Sequence, residues 1–153
     1  MKALSYLLFI ITLSNTAYSD ITGIVVKVYD GDTITVMNDG KLTKVRLYGI
    51  DAPEIGQDYG IASKQALFDA IAGNTVTVKE NGIDRYGRVI GIVMLAGIDI
   101  NKEMILRGHA WCYQQYNKNP EYLESEIQAR KNGVGLWSTQ NPKAPWDFRK
   151  EKK

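Results

Sequence analysis

A carboxylate-rich turn, Asp30-Gly31-Asp32, is followed by Arg46, by the run Asp51-Ala52-Pro53-Glu54, and later by Asp84-Arg85-Tyr86-Gly87-Arg88. Each piece alone has an ordinary explanation. Asp-Gly-Asp makes hairpin turns, Asp-x-Pro-Glu opens turns and helices, and an arginine among alternating strand residues commonly faces water. Their combination matches one chemistry. Carboxylate and carbonyl oxygens suit a hard divalent cation, and a further carboxylate off the metal can activate water. Two guanidiniums can hold a phosphate and stabilise the charge that builds on five-coordinate phosphorus. Cleavage of a phosphodiester needs this equipment. His109 is the only histidine and Cys112 the only cysteine. A histidine-based catalytic pair or a zinc site built on His and Cys is therefore close to excluded.

The elements that must position these residues are those of one domain, without visible repeats or linkers. Hydrophobic residues at 44% and charged ones at 24% lie near the globular average, which excludes disordered and fibrous classes. The chain opens with Lys2, an apolar run from Ala3 to Leu13, and small residues at Ala17 and Ser19. That three-part order reads as an export signal over residues 1–19, and the run is shorter than the roughly 20 apolar residues that cross a bilayer. The domain is then 20–153. Losing Lys2 takes the formal charge from +2 to +1, so electrostatics alone does not point to a nucleic-acid partner. A single cysteine in an exported chain leaves no internal disulfide, and packing must supply the stability. The end, Arg149-Lys150-Glu151-Lys152-Lys153, reads as a solvated basic tail.

Five segments read as strands: Ile24, Val26 and Val28; Ile34 and Val36; Val45 and Leu47; Val76 and Val78; and Val89 to Leu95, where Gly91 signals a bulge or bend. Asp30-Gly31 and Asp39-Gly40 carry hairpin chemistry. Three helices are predicted. One has the stripe Ala62, Ala66, Leu67, Ala70 and Ile71 before Gly73. A second is capped by Asn101 and carries Met104 and Ile105. The third begins at Asn119-Pro120, carries Leu123 and Ile127 on one face, and stops at Gly133. This order fits an α+β fold, a five-stranded OB-type Greek-key β-barrel with three helices, with a generic α+β sandwich as the alternative. One step does not close by alternation. Asp32 is in phase with Ile34 and Val36, whereas Arg46 is out of phase with Val45 and Leu47, so the two fall on opposite faces unless barrel closure or a bulge turns the strand.

The runs Val28-Tyr29-Asp30-Gly31-Asp32-Thr33, Val45-Arg46-Leu47-Tyr48-Gly49-Ile50-Asp51-Ala52-Pro53-Glu54 and Asp84-Arg85-Tyr86-Gly87-Arg88 resemble the staphylococcal nuclease (thermonuclease) family. So do Gly108-His109-Ala110-Trp111 and Gly135-Leu136-Trp137-Ser138, in order and across nearly all of residues 20–153. The resemblance implies a secreted or periplasmic OB-fold nuclease that uses one Ca²⁺ on single-stranded or locally opened DNA and on RNA and leaves 3′-phosphate ends, acting as a monomer with no stable protein partner and no membrane attachment after signal cleavage. It implies Asp32 and Asp51 as carboxylate metal ligands, and Ala52 as a ligand through its backbone carbonyl. It further implies Glu54 as general base, Arg46 and Arg88 as the phosphate-binding arginines, and Tyr86 as a phosphate contact. Tyr113 and Tyr116 straddle the position of the base-stacking tyrosine. The segment between Glu54 and the first helix is shorter than the family's and lacks its lysines, which predicts a lower or differently salt-dependent substrate affinity.

Two rivals remain at this level. One is a catalytically inactive OB-fold nucleic-acid-binding module, which would be expected to have lost some of the carboxylates. The other is a secreted structural or adhesive protein, which gives Asp32, Arg46, Asp51, Glu54 and Arg88 no reason to occur together.

Overall fold

The computed structural model describes residues 19–152. But for Ser19, the segment read as an export signal lies outside the described residues.

The strands are β1 (Ile21–Val28), β2 (Thr33–Asn38), β3 (Lys41–Leu47), β4 (Ile50–Asp51), β5 (Thr75–Ile83), β6 (Val89–Leu95), β7 (Ile98–Asp99) and β8 (Trp111–Cys112). The helices are α1 (Gly60–Ile71), α2 (Ile100–Leu106), α3 (Pro120–Asn132) and α4 (Pro145–Glu151), with a 3-10 turn at Gly135–Ser138. Strands β1, β2 and β3 form an antiparallel meander, β5 pairs with β1, and β6 with β5. Parallel pairing of β3 with β6 closes the circle. The result is the expected α+β class with a closed five-stranded mixed barrel of OB type, although the helices among the described residues number four rather than three.

Closure fixes what faces inward. Val25, Val28, Ile34, Val36, Val45, Leu47, Val76, Val78, Val89 and Val93 fill the barrel, and Leu67, Ile71, Met104, Ile105 and Tyr122 seal it from the helices. In β1 the apolar alternation of Ile24, Val26 and Val28 does not mark one inward face, because Ile24 and Val26 are half exposed while Gly23 and Val25 point in. A Cβ at Gly23 would overlap the Met37 carbonyl, and a register shift between Val25 and Lys27 reverses the phase so that Val28 also turns inward. Gly91 is likewise a close-packing glycine whose Cβ would strike Val78, while the β5–β6 irregularity lies at Glu80 to Ile83.

The helix signals were partly local and partly not. Asp39 and Gly40 both take positive φ, 46° and 77°, and join β2 to β3 as the dipeptide predicts. Asn119 caps α3, Pro120 opens it and Gly133 ends it in the left-handed region. Yet the face α3 buries is Tyr122, Ser125, Glu126 and Ala129, and Leu123 and Ile127 face solvent. In α1 the buried stripe is Gly60, Ser63, Leu67 and Ile71, leaving Ala62 and Ala70 exposed. Asp99, not Asn101, caps α2, its side chain accepting from the Lys102 amide. Asn101 is instead fully buried. Its Oδ1 accepts from the Val93 amide at 3.1 Å, and its Nδ2 donates to the carbonyls of Tyr48 at 2.9 Å and Gly91 at 3.1 Å.

Candidate active site

One end of the barrel opens into a cleft of about 950 Å³. The β1–β2 turn forms part of its floor. Gly31 is required there by proximity, since a Cβ would overlap Ser63 Oγ on α1 and crowd Ala52. Asp30 Oδ1 accepts from the Asp32 amide at 3.0 Å, and Asp32 Oδ1 accepts from Thr33 Oγ1 at 3.0 Å. Asp32 Oδ2 accepts from the Ala52 amide at 2.7 Å, which ties this turn to the loop after β4. Pairing of Asp51 with Trp111 through β4 and β8 holds Asp51 in place, with its side chain only 1% exposed.

The opposite-face problem resolves at this point. Asp32 precedes β2, so alternation does not constrain it, and Thr33 is the residue opposite Arg46. Arg46 leaves β3 on its outer face and folds back over the barrel end. Its Nη1 donates to the carbonyls of Leu47 at 3.1 Å and Ile50 at 3.0 Å. Its Nη2 lies 3.1 Å from Asp32 Oδ2 and 3.0 Å from Asp51 Oδ1, bridging the two carboxylates. Glu54 stands on the next loop, where its amide donates to Gln57 Oε1 at 3.1 Å.

Arg88 and Tyr86 belong to another wall. Asp84 accepts from the amides of Tyr86 and Arg88 and from Arg88 Nε at 2.7 Å, which shapes the turn before β6 and aims the guanidinium. Burial alone would raise the Asp84 carboxyl, but these hydrogen bonds outweigh it and hold it below its ordinary value. Tyr86 is exposed at the rim, with Arg85 and Arg88 against its ring. Tyr113 and Tyr116 meet edge-on at 4.9 Å between ring centres, Tyr113 half-buried and Tyr116 open to solvent. All nine residues singled out from the sequence therefore line a single cleft, although Arg88 is bonded to Asp84 rather than to the central carboxylates.

Three features lie outside the nine residues given a role from the sequence. Asp30 lines the cleft as well, and burial followed by the charge of Asp32 pushes its carboxyl up to about 7. The C-terminal stretch is not a free tail but α4, whose Trp146, Arg149 and Lys150 form a wall of the cleft. Arg149 Nη1 donates to Asp51 Oδ1 at 3.1 Å and to Glu54 Oε1 at 2.7 Å, and Nη2 donates to Asp51 Oδ2 at 2.7 Å. Burial raises the Asp51 carboxyl while the Arg149 bond opposes it, and the same bond raises the Arg149 guanidinium. Pro145 at the first helical position, after Ala144, was the available sequence signal for this helix. His109 lies outside the cleft, its Nδ1 3.2 Å from the Tyr59 hydroxyl.

The donor set facing the cleft is oxygen throughout, which fits a hard cation and not a thiophilic one. Among the described residues no three His, Cys, Asp or Glu side chains converge closely enough to form a metal site by themselves. A cation here would take the Asp32 and Asp51 carboxylates and complete its shell from backbone carbonyls and water.

A protein-family model described as staphylococcal nuclease homologue matches residues 44–139. An "Uncharacterized endonuclease" of Escherichia coli is 45% identical over 135 residues, 88% of each chain. One from Haemophilus influenzae is 41% identical over 150 residues, covering 97% of this chain and 84% of its own. A "Micrococcal nuclease" of Shigella flexneri is 37% identical over 155 residues, covering 94% of this chain and 89% of its own. With the matched stretch carrying the Arg46 end of β3, the loop of Asp51 and Glu54, and the turn of Arg88, and with relatives alike over most of their length, the chain belongs to the staphylococcal nuclease family.

Proposed function

We propose that the protein is a secreted, calcium-dependent nuclease that hydrolyses phosphodiester bonds of DNA and RNA and leaves 3′-phosphate ends, working as a monomer. The observation that carries this reading is the bridge from Arg46 to both Asp32 and Asp51, in a cleft that Glu54 and Arg88 also line. Asp32, Asp51 and the Ala52 carbonyl are the groups that would hold Ca²⁺. The alanine in place of a hydroxyl residue matters little when the ligand is main chain. Bound there, calcium would supply Lewis-acid stabilisation of the phosphate oxygens.

The chain's own groups do the rest. Arg46 and Arg88 take the non-bridging oxygens of the scissile phosphate and stabilise the charge of the five-coordinate state. The Glu54 carboxylate accepts a proton from the attacking water as its oxygen bonds to phosphorus. The bond from phosphorus to the 5′ oxygen breaks, that oxygen takes a proton from water, and the phosphate stays on the 3′ oxygen. Tyr86, Tyr113 and Tyr116, which also line the cleft, contact the flanking phosphate and base.

Purified protein is expected to degrade plasmid DNA and RNA with calcium and to stop when a chelator is added. Binding without cleavage in calcium would return the protein to the class of inactive OB-fold binders. Asp32→Asn and Asp51→Asn are expected to weaken Ca²⁺ binding, because each removes a formal charge from an oxygen-ligand site. Arg88→Ala, whose side chain is bonded to Asp84 alone among the described carboxylates, is expected to leave calcium binding nearly intact and lower turnover. Titration calorimetry separates the two groups, and an equal loss of metal in all three variants would overturn the role assignment.

Export is the remaining part of this reading. The Lys2 start, the apolar run and the Ala17-x-Ser19 site support a mature N-terminus at Asp20. Intact mass of the exported protein checks it, and an exported protein that keeps residues 1–19 would refute it. Among the described residues no helix is long and apolar enough to cross a membrane.

A further inference from the structure

Helix α4 lies beyond the stretch the family model matches, which ends at residue 139, yet it sends three side chains into the cleft. Trp146, Arg149 and Lys150 are spaced i, i+3 and i+4, so they share one helix face. A helix of seven residues is far too short to be stable alone, and tertiary contacts hold this one from several sides. Buried Gln57 donates from Nε2 to the Lys143 carbonyl at 2.7 Å, just ahead of the helix. The Trp146 indole lies parallel on Tyr113, with ring centres 5.3 Å apart and planes 5° from parallel, and meets Trp111 edge-on at 5.5 Å. Arg149 completes the attachment through Asp51 and Glu54. These contacts present a fixed aromatic surface and two cations to the cleft.

The charge of the cleft gives that surface a purpose. Its wall carries five carboxylates and, apart from α4, three guanidiniums. A lining with excess negative charge repels a polyanion. Arg149 and Lys150 bring the cations level with the carboxylates. Arg149 spends three N–H groups on Asp51 and Glu54. A guanidinium has five, which leaves two for another acceptor. The parallel Trp146–Tyr113 pair extends the aromatic wall begun by Tyr116, and stacking on such a wall needs a base whose face is free.

We propose that α4 is a strand-binding wall of this nuclease, which stacks an unpaired nucleobase on the Trp146–Tyr113 pair and holds the flanking phosphates with Arg149 and Lys150. This inference rests on the nuclease reading above.

The test is steady-state cleavage of a short single-stranded oligonucleotide in calcium, over a range of salt concentrations, by wild type, Trp146→Ala, Trp146→Phe and Lys150→Ala. Loss of one stacking platform is expected to raise KM by about tenfold, with a much smaller change in kcat, and Trp146→Phe is expected to recover most of it. Lys150→Ala is expected to raise KM and to flatten its dependence on salt by about 0.7 in the log–log slope. With a duplex of the same sequence, Trp146→Ala is expected to have little effect. Variants with the wild-type KM, or a fall in kcat at unchanged KM, would overturn the proposal and leave α4 as packing only. If Trp146→Ala fails to fold, Trp146→Phe and the exposed Lys150→Ala still decide the question. A wild type that cleaves no oligonucleotide refutes the nuclease reading itself, which is a separate outcome.

Discussion

Glu54→Gln is expected to slow single-turnover cleavage of a short single-stranded substrate by about 10²–10⁴-fold at saturating calcium, the usual range for removing a general base. The structure makes this substitution a clean one. Gln57 ties down the backbone of the loop, its amide donating to the Glu54 carbonyl at 2.9 Å and its side chain accepting from the Glu54 amide. A glutamine carbonyl can still accept from Arg149 Nη1, as Glu54 Oε1 now does at 2.7 Å. Shape and hydrogen bonding therefore persist while the proton acceptor is lost. Substrate affinity is expected to change far less, because an amide repels a phosphate less than a carboxylate does. A loss smaller than about tenfold falls below the range for a general base. It would reassign Glu54 to ordering the loop after Pro53, with the arginines and the metal as the catalytic apparatus.

Asn101→Ala is expected to give the largest loss of stability among the polar substitutions considered. The Asn101 side chain is completely buried and serves β6 through Val93 and Gly91, and the β3–β4 turn through Tyr48. Alanine leaves the Val93 amide and the Tyr48 carbonyl without this partner, at about 1–3 kcal/mol for each buried group. Gly91 is less exposed to the loss because its carbonyl also accepts from the Tyr48 amide at 2.8 Å. The sum predicts a fall in Tm of roughly 10 °C, read by thermal unfolding followed by circular dichroism. The Tyr48 carbonyl sits at the root of the turn that delivers Asp51, so calcium affinity is expected to weaken along with stability. A Tm within about 3 °C of wild type would mean that water or a shifted backbone satisfies these groups, and that Asn101 is not the pin of this turn.

Both variants act on residues that the sequence presents in different ways. Glu54 belongs to a short motif, Asp51-Ala52-Pro53-Glu54, whose chemistry can be read from neighbouring residues. Asn101 resembled a helix cap, because a polar residue before Met104 and Ile105 is a common helix start. The cap is Asp99, two residues earlier, and the reason lies in the Tyr48 and Gly91 carbonyls, which no local pattern reveals. The same division holds elsewhere. The Asp39-Gly40 turn and the Asn119-Pro120 start of α3 are local conformational preferences, and they were legible. The inward face of β1 and the buried face of α3 were not, because close approach at Gly23 and the fit of Tyr122 and Glu126 against other elements decide them.

The residue sequence by itself determined the barrel class, the turn chemistry and the chemical inventory of the cleft, since these depend on residue types at short spacing. Tertiary structure decided how that inventory converges. Arg46 reaches Asp32 because Asp32 lies on the turn just before β2, where alternation does not constrain it, and Arg46, opposite Thr33, folds back over the barrel end. Arg149 reaches Asp51 across 98 positions of chain. Alternation and helical periodicity describe neighbours within one element, whereas a contact of that separation exists only once the barrel has closed and the C-terminal helix has packed against its open end.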